Sequence, residues 1–427
     1  MIRVRGRVVA AGEGACEAEV PRCALGASVT IEARGGTRGG IVTAVRDGRV
    51  RIAPLDGSDG IRAGDEVLVA EGEPCVELGV AALGRVVDAR GAPLDGGASI
   101  RGPLLPLRAP APGALAKAGA PPRACWTGVR AIDALATLAR GQRIGIFGPA
   151  GAGKSTLLQS IVRHARVDAV VLALIGERGR EVEGWLAALG EARPRATVVC
   201  ATADEPAALR ARAPLAAMAQ AEYLRGHGLH VLLVMDSLAR YCTALRELAA
   251  ANGETTALRG YPPSAFAALG RLLERAGACG EGAVTAVCSV LVEGDDDREP
   301  VADAARALLD GHLILSRRIA ERGRFPALDV RASCSRLFPT VASPEQRRQA
   351  AAVLAALAAL EESSDLRAVG AYRPGGDHAL DAAIAAEPAL EAFLRQGEAP
   401  QPPPATLAGL AQLAAALCRI EIDEGVP

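Results

Sequence analysis

The chain has 427 residues, with 48 basic and 49 acidic side chains and a net charge of −1, so no global attraction to nucleic acid or to an anionic membrane surface is expected. Half of its residues are hydrophobic, yet no run of about 18 uncharged apolar residues occurs, which excludes a membrane-spanning helix. Ten cysteines are scattered without a CxxC pair or a Cys/His cluster at zinc spacing, and they read as reduced, small apolar residues.

The length predicts two or three domains around a large core. The opening MIRVRGRVVA reads as an amphipathic strand and not as a signal peptide, which predicts a cytoplasmic protein. Across residues 1–75, short β-rich runs at 4–9, 28–33, 40–45, 49–53 and 66–70 alternate with Gly35-Gly36, Asp47-Gly48 and Asp56-Gly57 turns. This spacing predicts a small closed β-barrel. No Phe, Tyr or Trp precedes Trp126. Bases therefore have no stacking platform in the barrel, which predicts an assembly surface and no nucleic-acid partner.

Residues 76–127 are rich in Gly, Pro and Ala and predict an extended connector packed along a surface. Over residues 128–340 the pattern becomes strand–helix alternation, with apolar runs at 144–147, 169–175, 197–201, 230–236, 284–292 and 312–315. This predicts an α/β domain with a doubly wound parallel sheet, and Pro206 is placed in the first turn of one of its helices. Residues 341–427 predict a helical C-terminal domain. Ser343-Pro344-Glu345-Gln346 reads as a capping box opening a helix to about residue 362, and Asp377, Glu387-Pro388 and Thr406 mark three further helix starts.

One stretch organises the rest. Gly148 to Ser155 fits G-x-x-x-x-G-K-S, after an apolar strand and before a helix, which is the context the motif needs. Backbone N–H groups converge on a triphosphate only where side chains are absent, so Gly148, Gly151 and Gly153 let the loop wrap closely, and the helix N-terminus adds partial positive charge. Lys154 is expected to reach the β- and γ-phosphates of ATP and the Ser155 hydroxyl to ligate Mg²⁺, with Ala152 and Thr156 completing the nucleotide-contacting set. Lys154 and Lys117 are the only lysines in the chain. A compact ammonium fits where a guanidinium fork does not.

The strand at 230–236 ends in Asp236, the carboxylate expected on the Mg²⁺ side. A second strand delivers Glu177 and Arg178 at the edge where ligands of open α/β sheets bind. From spacing alone, Glu177 is either a carboxylate that polarises the attacking water or one half of a surface salt bridge within ERGREVE.

The segments GQRIGIFGPAGAGKSTLL, ALIGERGREVEGW, DEPAALRARA, VMDSLARY, RGYPPSAFAALGRLLERAG, SVLVEGDDDREPVADAARALLDGHLILSR and FPALDVRASCSR resemble the ATPases of type III protein export. That family serves the flagellum and the injectisome and is related to the catalytic subunits of rotary ATP synthases. GRVVDARGAPLDG, TGVRAID, AYRPGGDHALDAAI and FLRQ fit it too, so the resemblance runs in order from about residue 80. It implies a homohexameric, Mg²⁺-dependent ATPase at the cytoplasmic face of the inner membrane. Its implied partners are a stator, a central stalk, export-gate proteins and chaperone–substrate complexes. By the same resemblance Lys154 and Ser155 bind phosphate and Mg²⁺, Glu177 is the catalytic glutamate with Arg178 beside it, and Asp236 is the Mg²⁺-side carboxylate. Arg336, in ASCSR, matches an arginine finger entering a neighbouring subunit's site. Phe325 sits where the family carries a tyrosine near the adenine, and either stacks there or packs in a core.

Three departures stand out. The chain starts directly on a strand, where the family carries a helical tail that docks the stator. ANGETTALRGYPPS replaces the usual approach to GYPPS, and Pro149 alters the wording of the phosphate loop. The alternatives are a rotary proton-translocating ATPase or synthase subunit, a hexameric RNA-dependent ATPase, and a non-hydrolysing structural subunit. RGYPPS and LVEGDDDREP count against the first, the aromatic-free barrel and neutral charge against the second, and Glu177 with Arg336 against the third. Flagellum and injectisome are not separable from these residues.

Overall fold

A computed structural model describes residues 4–113, 122–256, 258–292 and 299–419. Lys117, Ala257, the EGDDDR stretch at 293–298 and residues 420–427 lie outside the described residues.

Six strands close the N-terminal barrel: β1 (Arg5–Gly12), β2 (Ala15–Glu19), β3 (Ser28–Ala33), β4 (Gly36–Arg46), β5 (Arg49–Pro54) and β6 (Glu66–Val69), in the order β1-β2-β5-β4-β3-β6, with β6 pairing back onto β1. Five of these coincide with the β-rich runs of the sequence. The sixth, β2, has no such signal: its ACEAE carries no β-branched or aromatic residue and forms a strand because Cys16 and Ala18 alternate into the barrel core. That core is aliphatic, built from residues such as Val8, Ile31, Val42, Ile52 and Val67.

The stretch expected to be a connector contributes β7 (Val86–Asp88), a parallel edge strand of the central sheet. The other strands are β8 (Arg143–Gly148), β9 (Ala169–Glu177), β10 (Ala196–Thr202), β11 (His230–Asp236), β12 (Gly282–Leu291), β13 (Gly311–Leu315) and β14 (Leu328–Ser335). They lie in the order β14-β13-β8-β12-β11-β9-β10-β7, and Gly277–Cys279 pairs with β12 off this path. All neighbours on the path are parallel except β13 and β14.

The inner strands are apolar on both faces because both faces are covered. Val171, Ala173 and Ile175 point into one core with helices α3 (Ala207–Gly226), α4 (Leu238–Ala251), α5 (Pro263–Glu274) and α6 (Pro300–Leu308). Val170, Leu172 and Leu174 point into the other, with α1 (Lys154–His164) and α2 (Gly179–Leu189). The sheet is thus doubly wound. Pro206 is the N-cap of α3 and lies just ahead of its first turn.

The second core extends into the C-terminal helices α7 (Pro344–Glu362), α8 (His378–Leu394) and α9 (Pro403–Arg419). Ser343 caps α7 by accepting from the Gln346 N–H at 3.0 Å. The Gln346 side chain does not complete the box. It donates instead to the Asp133 and Ala134 carbonyls and to Thr137, tying the helical region to the short helix Arg130–Leu135 and the turn after it, ahead of the phosphate-loop strand. Two expected helix starts are corrected. Pro388 sits inside α8, where buried Leu380, Ala383, Ala386, Leu390 and Phe393 carry the helix through the missing N–H. Thr406 lies within α9, which begins at Pro403.

Candidate active site

The phosphate loop joins the C-terminal end of β8 to the start of α1. Gly151 and Gly153 adopt φ of 79° and 91°, left-handed values that favour glycine. Gly148 is required for space, since a Cβ there would lie 3.0 Å from the Leu315 backbone oxygen. Ala152 is buried beneath the loop, while Ser155 and Thr156 are exposed at the helix start. The Lys154 ammonium donates to the Gly148 and Pro149 carbonyls at 2.7 and 2.8 Å. Burial lowers its pKa to about 8, against the opposing pull of the Asp236 carboxylate.

The strand order places the other groups along the same edge. Asp236 ends β11 and is 6% exposed, and it accepts a hydrogen bond from Ser289 on β12. Burial pushes its carboxyl upward, opposed by Ser289, Arg240 and Lys154. Glu177 ends β9 and is 5% exposed. Its Oε1 meets Arg240 Nη1 at 2.5 Å, and Arg240 also donates to the Gly176 carbonyl. Burial first, then a hydrogen bond with Glu181 and the Asp236 charge, raise Glu177 to about 8, whereas Glu181 is held low, chiefly by that same hydrogen bond. Glu177 is therefore not a surface salt-bridge residue. That role falls to Arg178, which is exposed and lies 4.0 Å from Glu181.

Ser155 and Asp236 offer hard oxygen donors of the kind Mg²⁺ takes, and both lie at this edge, so the residues present fit that ion.

Arg336 is elsewhere. It follows β14, which runs antiparallel to β13 with Ser335 opposite Gly311, and its N–H bonds the Asp310 carbonyl at 3.0 Å. Asp310 in turn holds Arg143 at the start of β8. Gly311 and Leu315 are four residues apart on β13, about 13 Å along a strand, and Leu315 is the residue that packs on Gly148. Arg336 thus emerges, exposed, at the strand edge opposite its own phosphate loop.

Phe325 is 52% exposed, so packing in a core is ruled out. Its carbonyl accepts from Gln396 N–H beyond α8. The structure therefore unites Lys154, Asp236 and Glu177 and leaves Arg178, Arg336 and Phe325 on the surface.

Sequence reasoning gave no role to Arg240, Glu181, Ser289 or Arg317, the last of which donates to the Ala150 carbonyl of the phosphate loop. Arg240 was within reach. In VMDSLARY it lies four residues beyond Asp236, one helical turn above the same edge.

Residues 128–335 match the model of the ATP synthase alpha/beta family, nucleotide-binding domain, and residues 342–412 match that of the T3SS EscN ATPase C-terminal domain. The chain is 42% identical over 421 residues to the flagellum-specific ATP synthase of Salmonella typhimurium, covering 93% of this chain and 90% of that protein. It is 44% identical over 359 residues to the SPI-2 type 3 secretion system ATPase of the same organism, covering 84% and 83%. Its fold superposes on the assembled ATPase EscN of the enteropathogenic E. coli type III secretion system with a TM-score of 0.91. The identity is 36%, and 96% of this chain and all of that one are covered. A structure of EscN with its central stalk EscO matches with a TM-score of 0.89 at 35% identity. By sequence along nearly its whole length and by fold, the chain belongs to the family of type III protein-export ATPases, flagellar and injectisome, within the wider ATP synthase alpha/beta family.

Proposed function

We propose that this chain hydrolyses ATP at a site completed by a second copy of itself, within a homohexameric ring that powers protein export through a type III apparatus. The convergence of Lys154, Asp236 and Glu177 at one sheet edge carries this reading. Lys154, held by loop carbonyls, is positioned to exchange them for phosphate oxygens. Ser155 and Asp236 would hold Mg²⁺, which supplies charge neutralisation at the phosphates when bound. Glu177, once deprotonated, polarises the attacking water, and Arg240 orients it. Arg336 cannot reach its own chain's loop and serves a neighbour's. Phe325 offers an exposed ring to the adenine.

The ring is further proposed to take a central stalk, a stator, export-gate proteins and chaperone–substrate complexes as partners, at the cytoplasmic face of the inner membrane. No helix among the described residues is long and apolar enough to cross a membrane. The test is ATP turnover by the purified chain with Mg²⁺, with and without RNA. Turnover indifferent to RNA and rising with protein concentration is expected. Strict dependence on RNA would replace export with a nucleic-acid motor.

A further inference from the structure

Between the barrel and the central sheet's helices lies a cavity of 650 Å³, walled by Ile41 and Val42 of β4, Leu215 of α3, Leu245 and Leu248 of α4 and Leu272 of α5. Its volume is within the ordinary range for small-molecule sites, and it sits at a boundary between two parts of the fold, where such sites are common. The walls are tied together across it. Thr43 donates to the Asn252 side chain at 2.7 Å, and Arg51 donates to the Ala251 carbonyl at 3.1 Å.

Most of the lining is apolar, with Tyr241 and several arginines supplying polar groups. Tyr241 lines the cavity and is 2% exposed, and among the described residues nothing hydrogen-bonds its hydroxyl. Three arginines surround it, since the charges of Arg271, Arg275 and Arg108 all act on the phenol. Arg275 is committed, bidentate to Glu222 and bonded to the Leu107 carbonyl. The side chains of Arg108 and Arg271 make no hydrogen bond or ion pair among the described residues. The Arg108 guanidinium lies over Gly26, where a Cβ would come 2.1 Å from its Nη1. Among the described residues, four arginines and one carboxylate line the cavity, and that carboxylate, Glu254, already accepts from Ser264.

We propose that this cavity binds an amphipathic carboxylate, with an apolar body against the leucines and the carboxylate received by Arg108, Arg271 and the Tyr241 hydroxyl. Planar guanidinium groups suit a carboxylate, and Arg108 and Arg271 both line the cavity while remaining exposed to solvent. None of Lys154, Glu177, Asp236 and Arg240 lines the cavity, and the proposal does not depend on which reaction occurs at the nucleotide edge.

Calorimetric titration of the full-length chain with decanoate, below its micellar range, tests this. One saturable site per chain is expected, with decanol and acetate both binding at least tenfold more weakly. Arg271→Gln and Tyr241→Phe should each weaken decanoate about tenfold, the loss of one charge-assisted bond. Tyr241→Phe removes only the unpartnered hydroxyl and keeps the packing. If it nevertheless unfolds, Arg271→Gln, at an exposed side chain, carries the test. Absence of decanoate binding, equal binding of decanol, or binding unchanged in both variants overturns the proposal. Tighter binding of decyl phosphate than of decanoate overturns the carboxylate assignment.

Discussion

The two edges of the central sheet are built from similar residues and behave differently. At the strand starts, charges are matched: Asp310 bonds the Arg143 backbone and guanidinium, and Glu274 takes the remaining arm of Arg143. At the strand ends, burial outruns matching. Glu177 and Lys154 are both pushed to about 8, one upward and one downward, because neither has enough opposite charge to offset the loss of water. Paired charges hold a fold together, whereas underpaired buried charges are held ready for a ligand that brings the missing charge. Arg336 breaks the pattern, being an exposed cation at the structural edge, and the proposed ring is what gives it a chemical role, in a neighbour's site.

The largest expected effect comes from the active edge. Lys154→Ala should abolish ATP turnover while circular dichroism stays native, because glycines and backbone build the loop without it. Near-normal turnover in that variant would remove the phosphate site from this edge. Arg336→Ala should bind ATP and assemble but lose about 10³–10⁵ in rate, the range for an arginine finger. Mixing it with Lys154→Ala sharpens the comparison. Mixed rings contain interfaces that pair an intact loop with an intact finger, so activity should partly return. A mixture that stays dead although mixed rings form would return Arg336 to a purely structural edge.

Glu177→Gln should bind ATP and turn it over about 10²-fold or more slowly, as expected for loss of a general base. Wild-type turnover would make Glu177 a structural group after all. The pH dependence is a finer probe. Glu177 must be deprotonated to act and sits at about 8, so kcat/KM should rise with pH toward that value. Glu181 is one of the groups raising it, so Glu181→Ala should move the rising limb to lower pH. A limb that stays put would mean that burial and Asp236 alone set the shift. The smallest effect belongs to the other edge. Asp310→Ala should cost about 1.5–3 kcal/mol in urea unfolding, the worth of hydrogen bonds to a charged group, and change kcat less than about twofold.

Much of this molecule is local enough to be read in one dimension. The phosphate loop is legible because its glycines, lysine and serine are contiguous and their conformational needs are intrinsic to the residue types. The strands of the central sheet are legible because burial on both faces makes them continuous apolar runs. The strand ACEAE was not, since only closure of the barrel gives Cys16 and Ala18 an inside. Pro388 misled because a helix with a well-buried face tolerates a proline that an isolated helix would not.

What the sequence determined by itself is the chemistry available: a nucleotide loop, carboxylates at strand ends and an arginine far downstream. The tertiary structure decided which of these meet. Strand order, a set of long-range pairings with no local signal, brings Glu177, Asp236 and Lys154 to one edge and adds Arg240 and Glu181 to them. The antiparallel return of β14 carries Arg336 to the opposite edge, because a strand that reverses direction must end where its parallel neighbour begins.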